Sequence, residues 1–199
     1  MGQYYLPMCL DSKEYLYSHD CKGLCTCDNG KKIRIGTGLK LMEHSYIGNR
    51  LMNAVSNLLI PGGSWYMKRL VWAGDYADKR EKYGKDKDGE EMNDYDWADE
   101  HFKKLKPKCT FNNRKFRYLT NHTKKEIVDV SRIKKDEDGF RIHPLSLLTC
   151  DGNGRGGGDF EGEDIRVGSW ARDVISIEDH LIEGYTLVDG QFKEDLTCF

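Results

Sequence analysis

No stretch of this 199-residue chain approaches the run of ~20 apolar residues that a helix needs to cross a bilayer. Its N-terminus also lacks the charged and apolar regions of a secretory signal. The expectation is therefore a soluble, cytoplasmic protein with no membrane partner. An excess of positive charge is missing as well: 31 Lys and Arg face 33 Asp and Glu, for a formal net charge of −2. Such a chain has no global basic field, which argues against general duplex nucleic-acid binding and leaves only local contacts. There is no internal repeat. The start Met1-Gly2 fails as a myristoylation signal because Leu6 stands where Ser or Thr is required. Seven cysteines, an odd number without an export signal, fit thiols or metal ligands better than a disulfide framework.

What is present suits one domain with a sizeable core. A chain of this length buries enough surface to fold alone, and 11 Tyr, 7 Phe and 4 Trp supply aromatic mass for the interior. Residues 3–19 alternate aromatic and polar groups around Asp11-Ser12-Lys13, the pattern of a hairpin with arms Tyr4 to Leu10 and Glu14 to Ser18. Residues 20–37 read as a hairpin insertion. From Ser45, a candidate N-cap, Ile47, Leu51, Val55, Leu58 and Leu59 share one helical face, with Pro61-Gly62-Gly63 as the stop. Trp65 to Ala73 reads as a buried strand.

The charged and glycine-bearing segment 79–93 can bury almost nothing and reads as a mobile loop. A second helix is marked by Tyr95, Ala98, Phe102 and Leu105 and is expected to stop at Pro107. A second hairpin is expected from Phe116–Leu119 and Glu126–Val130, a strand from Leu145 to Leu148, one or two strands in Ile165–Ile177, and a closing strand over Tyr185–Val188. Hairpins with two inserted helices, rather than alternating βαβ units, predict an α+β fold: a mostly antiparallel sheet with two amphipathic helices packed on it.

The most informative stretch is Gly152 to Gly158, where five of seven residues are glycine and the one cation is Arg155. An ordered glycine run marks unusual backbone angles or a close approach to a neighbour. Successive amides in such a turn form a concave nest for an anion, and a guanidinium beside it forks onto phosphate or carboxylate. The same composition also suits a plain flexible loop. Gly152, Gly154 and Gly157 match the spacing of a dinucleotide fingerprint, but the acidic, glycine-broken stretch after Asp159 is no helix start. No Lys followed by Ser or Thr comes after the glycines either, which excludes a P-loop.

Downstream, Trp170 and Arg172 offer a flat ring and a second guanidinium. Gly154, Arg155, Gly156, Gly157, Asp159, Trp170 and Arg172 are thus the candidate ligand-binding residues. Equally, Trp170 can be core and Arg172 can pair with Asp173 or Glu178.

Three residues are candidate acids or bases. His44, between Glu43 and Ser45, precedes the first expected helix; Asp75 follows a strand end; and His143 stands nine residues before Gly152. Each also has a structural explanation as a cap, an Asx-turn or a strand-edge residue. His19, Cys21, Cys25 and Cys27 lie within nine residues and are the ligand types zinc prefers. The alternative is a cysteine-bearing turn, with Cys9, Cys109 and Cys150 as further thiols.

The opening Met1-Gly-Gln-Tyr-Tyr5 and the stretches Gly38–Ser45, Trp72–Asp78, Asn121–Lys125, Gly152–Asp159 and Gly168–Asp173 resemble a family of short, uncharacterised bacterial and phage proteins. The resemblance spans nearly the whole chain and implies no particular activity. The family pattern is shorter between His19-Asp20 and Gly38, so the cysteine segment looks like an insertion, and zinc would be dispensable to any shared function.

Taken with the glycine run, this predicts a binder of a phosphate-bearing, nucleotide-like small molecule, in a phage setting a sequestering or inhibitory factor. Alternatives are a nucleotide-directed hydrolase or transferase, and an inhibitor whose partner is a host protein.

Overall fold

The computed structural model describes residues 3–26, 32–35, 37–111, 115–136, 139–153, 160 and 164–193, with only the backbone of 24–26 and 32–35. The chain begins with β1 (Tyr5–Cys9) and β2 (Glu14–Tyr15), then β3 (Gly23–Thr26), β4 (Lys32–Ile35), α1 (Leu41–His44), α2 (Arg50–Leu59) and β5 (Lys68–Gly74). It continues with α3 (Asp94–His101), β6 (Lys103–Lys104), β7 (Tyr118–Asn121), β8 (Glu126–Asp129), α4 (Pro144–Thr149), β9 (Cys150–Asp151), β10 (Val174–Glu178) and β11 (Thr186–Leu187). The fold is α+β, as expected. Among the described residues, nine strands form one mixed, largely antiparallel sheet: eight in the order β11-β8-β7-β10-β5-β1-β2-β6, with β9 also paired to β5, while β3 and β4 pair only with each other.

β5 organises the sheet. One edge pairs with β1, placing Tyr5 opposite Gly74. The other edge is shared end to end: its first residues pair with β10, and Trp72 and Ala73 pair in parallel with Cys150 and Asp151 of β9. Alternation along the central strands sends side chains to two faces. Tyr5, Cys9, Leu70 and Trp72 join the larger core with Leu51, Val55, Leu59, Leu145 and Trp170, whereas Leu6, Met8, Val71 and Ala73 face Ala98. α2 and α4 therefore cover one face of the sheet, and α3 covers the other.

Five local expectations are corrected. Ser45 is not an N-cap. Backbone 45–47 pairs with 141–143 through Ile47 N–H to Arg141 O (2.8 Å) and His143 N–H to Ser45 O (2.7 Å). α2 therefore starts only after the turn at Gly48 (φ +92°), with Asn49 accepting from Leu51 N–H at 2.8 Å. Leu145 to Leu148 is helix rather than strand, because Pro144 is preset for the first helical position and His143 Nδ1 caps Leu145 N–H at 3.2 Å.

α3 ends at His101, before Leu105 and Pro107, because Lys103 and Lys104 pair with β2. In the expected strand region after Ile165, left-handed backbone at Gly168 and Arg172 confines the strand to Val174–Glu178. Segment 79–93 also buries more than its composition suggests. It holds a 3-10 turn at Glu81–Tyr83 and buries Met92 and Asn93, the latter donating to Asp75 O at 2.9 Å.

Candidate functional site

Gly154, Arg155, Gly156, Gly157 and Asp159 lie outside the described residues. What is described is the root from which they spring. The parallel register that sets Ala73 beside Asp151 brings Gly152 next to Gly74, on the strand end opposite Tyr5. The Gln3 carboxamide lies across both glycines. A Cβ at Gly74 would come within 2.5 Å of its Nε2, and one at Gly152 within 2.4 Å of its Oε1, so both positions exclude any side chain. Gln3 Oε1 accepts from Tyr5 O–H (2.7 Å) and Asn153 N–H (3.3 Å); the latter is a donor only, which fixes the oxygen on that side. Gln3 is 3% exposed, and its Nε2 has no partner among the described residues.

Beside this cradle is a cluster of charge drawn from four segments. Asp94, at the start of α3, accepts from Arg80 Nε (3.0 Å), Arg172 Nη2 and the Tyr83 hydroxyl. Asp151, at the end of β9, accepts on the single oxygen Oδ2 from Arg80 Nη2 (3.2 Å) and Arg172 Nη2. Burial pushes the Asp94 carboxyl up, but Arg172, the Tyr83 hydroxyl and Arg80 outweigh it and hold the group below the usual carboxylate range. The Tyr83 hydroxyl is raised, by burial first and by its bond to Asp94 second. Its ring stacks on Trp97 at 4.8 Å, which stacks on His101 at 3.7 Å. Arg172 holds φ +69°, costly for a non-glycine residue, and its Nε is buried with no partner among the described residues.

Arg172 thus stands at the loop root, paired with Asp94 and Asp151 and not with Asp173 or Glu178. Trp170 does not offer its ring to a ligand: it is 1% exposed in the core, and its Nε1 donates to Glu126 at 2.7 Å. Neither Arg80, Asp94 nor Gln3 was marked by sequence reasoning. The one sequence hint is that Arg80 lies within the charged segment 79–93 and Asp94 directly follows it.

The three acid-base candidates separate. Glu43, His44 and Ser45 do not act together: Glu43 accepts from Lys40 N–H at 3.1 Å, and the Ser45 hydroxyl donates to Leu41 O at 2.5 Å. His44 is fully buried, with Nε2 accepting from Trp72 Nε1–H at 2.8 Å and Nδ1–H donating to Gly38 O at 3.1 Å. Burial pulls it down to about 4. His143 is buried as the α4 cap and is likewise pulled down to about 4 by burial. Of the three, Asp75 alone follows the strand end, Gly74, beside which the loop root lies. It follows Gly74, accepts from Tyr4 N–H at 3.0 Å, and is raised above its ordinary value by burial.

Of the zinc candidates, His19 is exposed and edges against Tyr17, and Cys21 is buried with its thiol raised by burial and by the neighbouring Cys109 thiol. Cys25 lies on β3 without a described side chain, and Cys27 lies outside the described residues. Among the described residues no three His, Cys, Asp or Glu side chains are placed to hold a metal, nor is any helix long and apolar enough to cross a membrane. Comparison with protein-family models, with curated proteins and with solved structures finds no match to this chain.

Proposed function

We propose that the protein binds a phosphate-bearing, nucleotide-like small molecule where the glycine run leaves the sheet. The observation that carries this reading is the convergence of Arg80 and Arg172 on Asp151, the residue immediately before that run. Two planar guanidiniums held side by side present the forked donors that recognise phosphate. By sequence, the glycine run that follows Asp151 offers backbone amides suited to an anion and, at Arg155, a third guanidinium. Tyr4 and Tyr76, both exposed, flank Asp75 at the same strand ends and supply ring faces for a planar group.

The test is mass spectrometry of small molecules released when purified protein is denatured, followed by thermal melts with the compound recovered. A nucleotide recovered unchanged, with a raised melting temperature, is the expected result. Arg155→Ala and Arg172→Ala should each weaken binding by about 1.5 to 3 kcal/mol, the range for a charged hydrogen bond. A second reading, a nucleotide hydrolase or transferase, is favoured by the position and raised carboxyl of Asp75. It predicts that the nucleotide returns altered and that Asp75→Asn abolishes the change. Neither release nor stabilisation would overturn both readings and leave the inhibitor of a host protein.

A further inference from the structure

We propose that Asp151 is an internal stand-in for the ligand's phosphate: its carboxylate occupies the fork of Arg80 and Arg172, and an entering phosphate replaces it. This rests on the binding reading above and adds regulation to the same site. The two carboxylates on the fork are not equivalent. Asp94 has a side chain 1% exposed and three separate donors, so it is a fixed part of the fold. The Asp151 side chain is 22% exposed, and Oδ2 alone makes its side-chain bonds, both to the two arginines. Carboxylate and phosphate present the same kind of anionic oxygen to a guanidinium, so they compete for the same N–H groups.

The exchange has a structural consequence because Asp151 leads directly into the glycine run. Among the described residues, two side-chain contacts tie the start of that run: Asp151 to the fork, and Asn153 N–H to Gln3 Oε1 at 3.3 Å. Displacing Asp151 removes the stronger of the two, which couples occupancy of the fork to how the described residues Asp151 to Asn153 are held. Gln3, buried with its Nε2 against Gly74 and without a partner among the described residues, supplies an unused donor at the same strand end.

A fork occupied by its own carboxylate binds more weakly in proportion to the fraction of molecules in which it is free. The experiment is calorimetric titration of the full chain with inorganic pyrophosphate at one fixed ionic strength. Asp151→Asn is expected to bind about tenfold tighter than the parent if the fork is free in about a tenth of molecules. Glu183→Gln, which removes the same charge from an exposed residue preceding the edge strand β11, should match the parent. Should Asp151→Asn fail to fold, Asp151→Ser carries the same comparison. Parent binding with equal or weaker binding by the Asp151 variant overturns the exchange and leaves the binding reading intact. Absence of binding by the parent and by the variant overturns both.

Discussion

His44 and His143 show how a residue visible in sequence changes meaning once its partners are known. Both titrate near pH 4 in the fold against an ordinary value of 6.5. The unfolded chain therefore binds more protons than the native protein between those values, and stability is full above about pH 6.5 and falls as pH drops toward 4. The full shift corresponds to about 3 kcal/mol for each ring. Urea unfolding between pH 7 and 4 should show this loss, and His143→Asn, which keeps a capping side chain without a titrating ring, should remove about half of it.

At the same scale, Gly74→Ala and Gly152→Ala should each cost about 1 to 3 kcal/mol by overpacking, since the new methyl meets the Gln3 carboxamide at 2.5 and 2.4 Å. Chemical denaturation measures that directly. The glycine run drew attention through composition alone, whereas the partner that requires Gly152 is 149 positions away at Gln3 and left no local trace.

Elements were legible where the period was long and clean. The β1–β2 and β7–β8 hairpins follow from alternation with turn residues between, and α2 follows from its apolar stripe ending at Pro61. Boundaries failed where distant backbone intervened: strand-like pairing of 45–47 with 141–143 moves the start of α2 from Ser45 to Asn49. Asn49→Ala should accordingly cost about 1 kcal/mol, the usual loss for an N-cap, measured by thermal or urea unfolding. The four-residue run Leu145 to Leu148 was too short for periodicity to separate strand from buried helix.

The 79–93 segment gives a finer prediction. Its Arg80 end is held by Asp94 and Asp151 and its Met92-Asn93 end is buried, while Lys85 to Lys87 lies between. Limited trypsin digestion, read by mass spectrometry, should cut at Lys85 or Lys87 before Arg80.

On the scale of the whole molecule, the charged cluster joins parts of the chain that the sheet alone does not bind together. Arg80 leaves β5, Asp94 opens α3 on one face, Asp151 ends β9 after α4 on the other, and Arg172 precedes β10. With 31 cations and 33 carboxylates in the sequence, no spacing rule selects these four, because ion pairing across 78 positions leaves neither a period nor a motif. The α+β class was legible because it depends on local pattern; this junction depends on which surfaces the folded sheet brings together.

Asp94 is its anchor, and removing one partner of a buried ion pair leaves the other charge uncompensated. Asp94→Ala should therefore destabilise the protein by about 3 to 5 kcal/mol, against at most about 1 kcal/mol for the exposed pair partner Arg69→Ala, in parallel urea titrations. A cost for Asp94→Ala no larger than that of Arg69→Ala would mean that the cluster is solvated and does not join the two faces of the sheet. If the loss is large, Asp94→Ala combined with Arg172→Met should recover part of it, since the second change removes the stranded guanidinium while filling a similar volume. Recovery would locate the cost in the unpaired charge rather than in lost packing around α3.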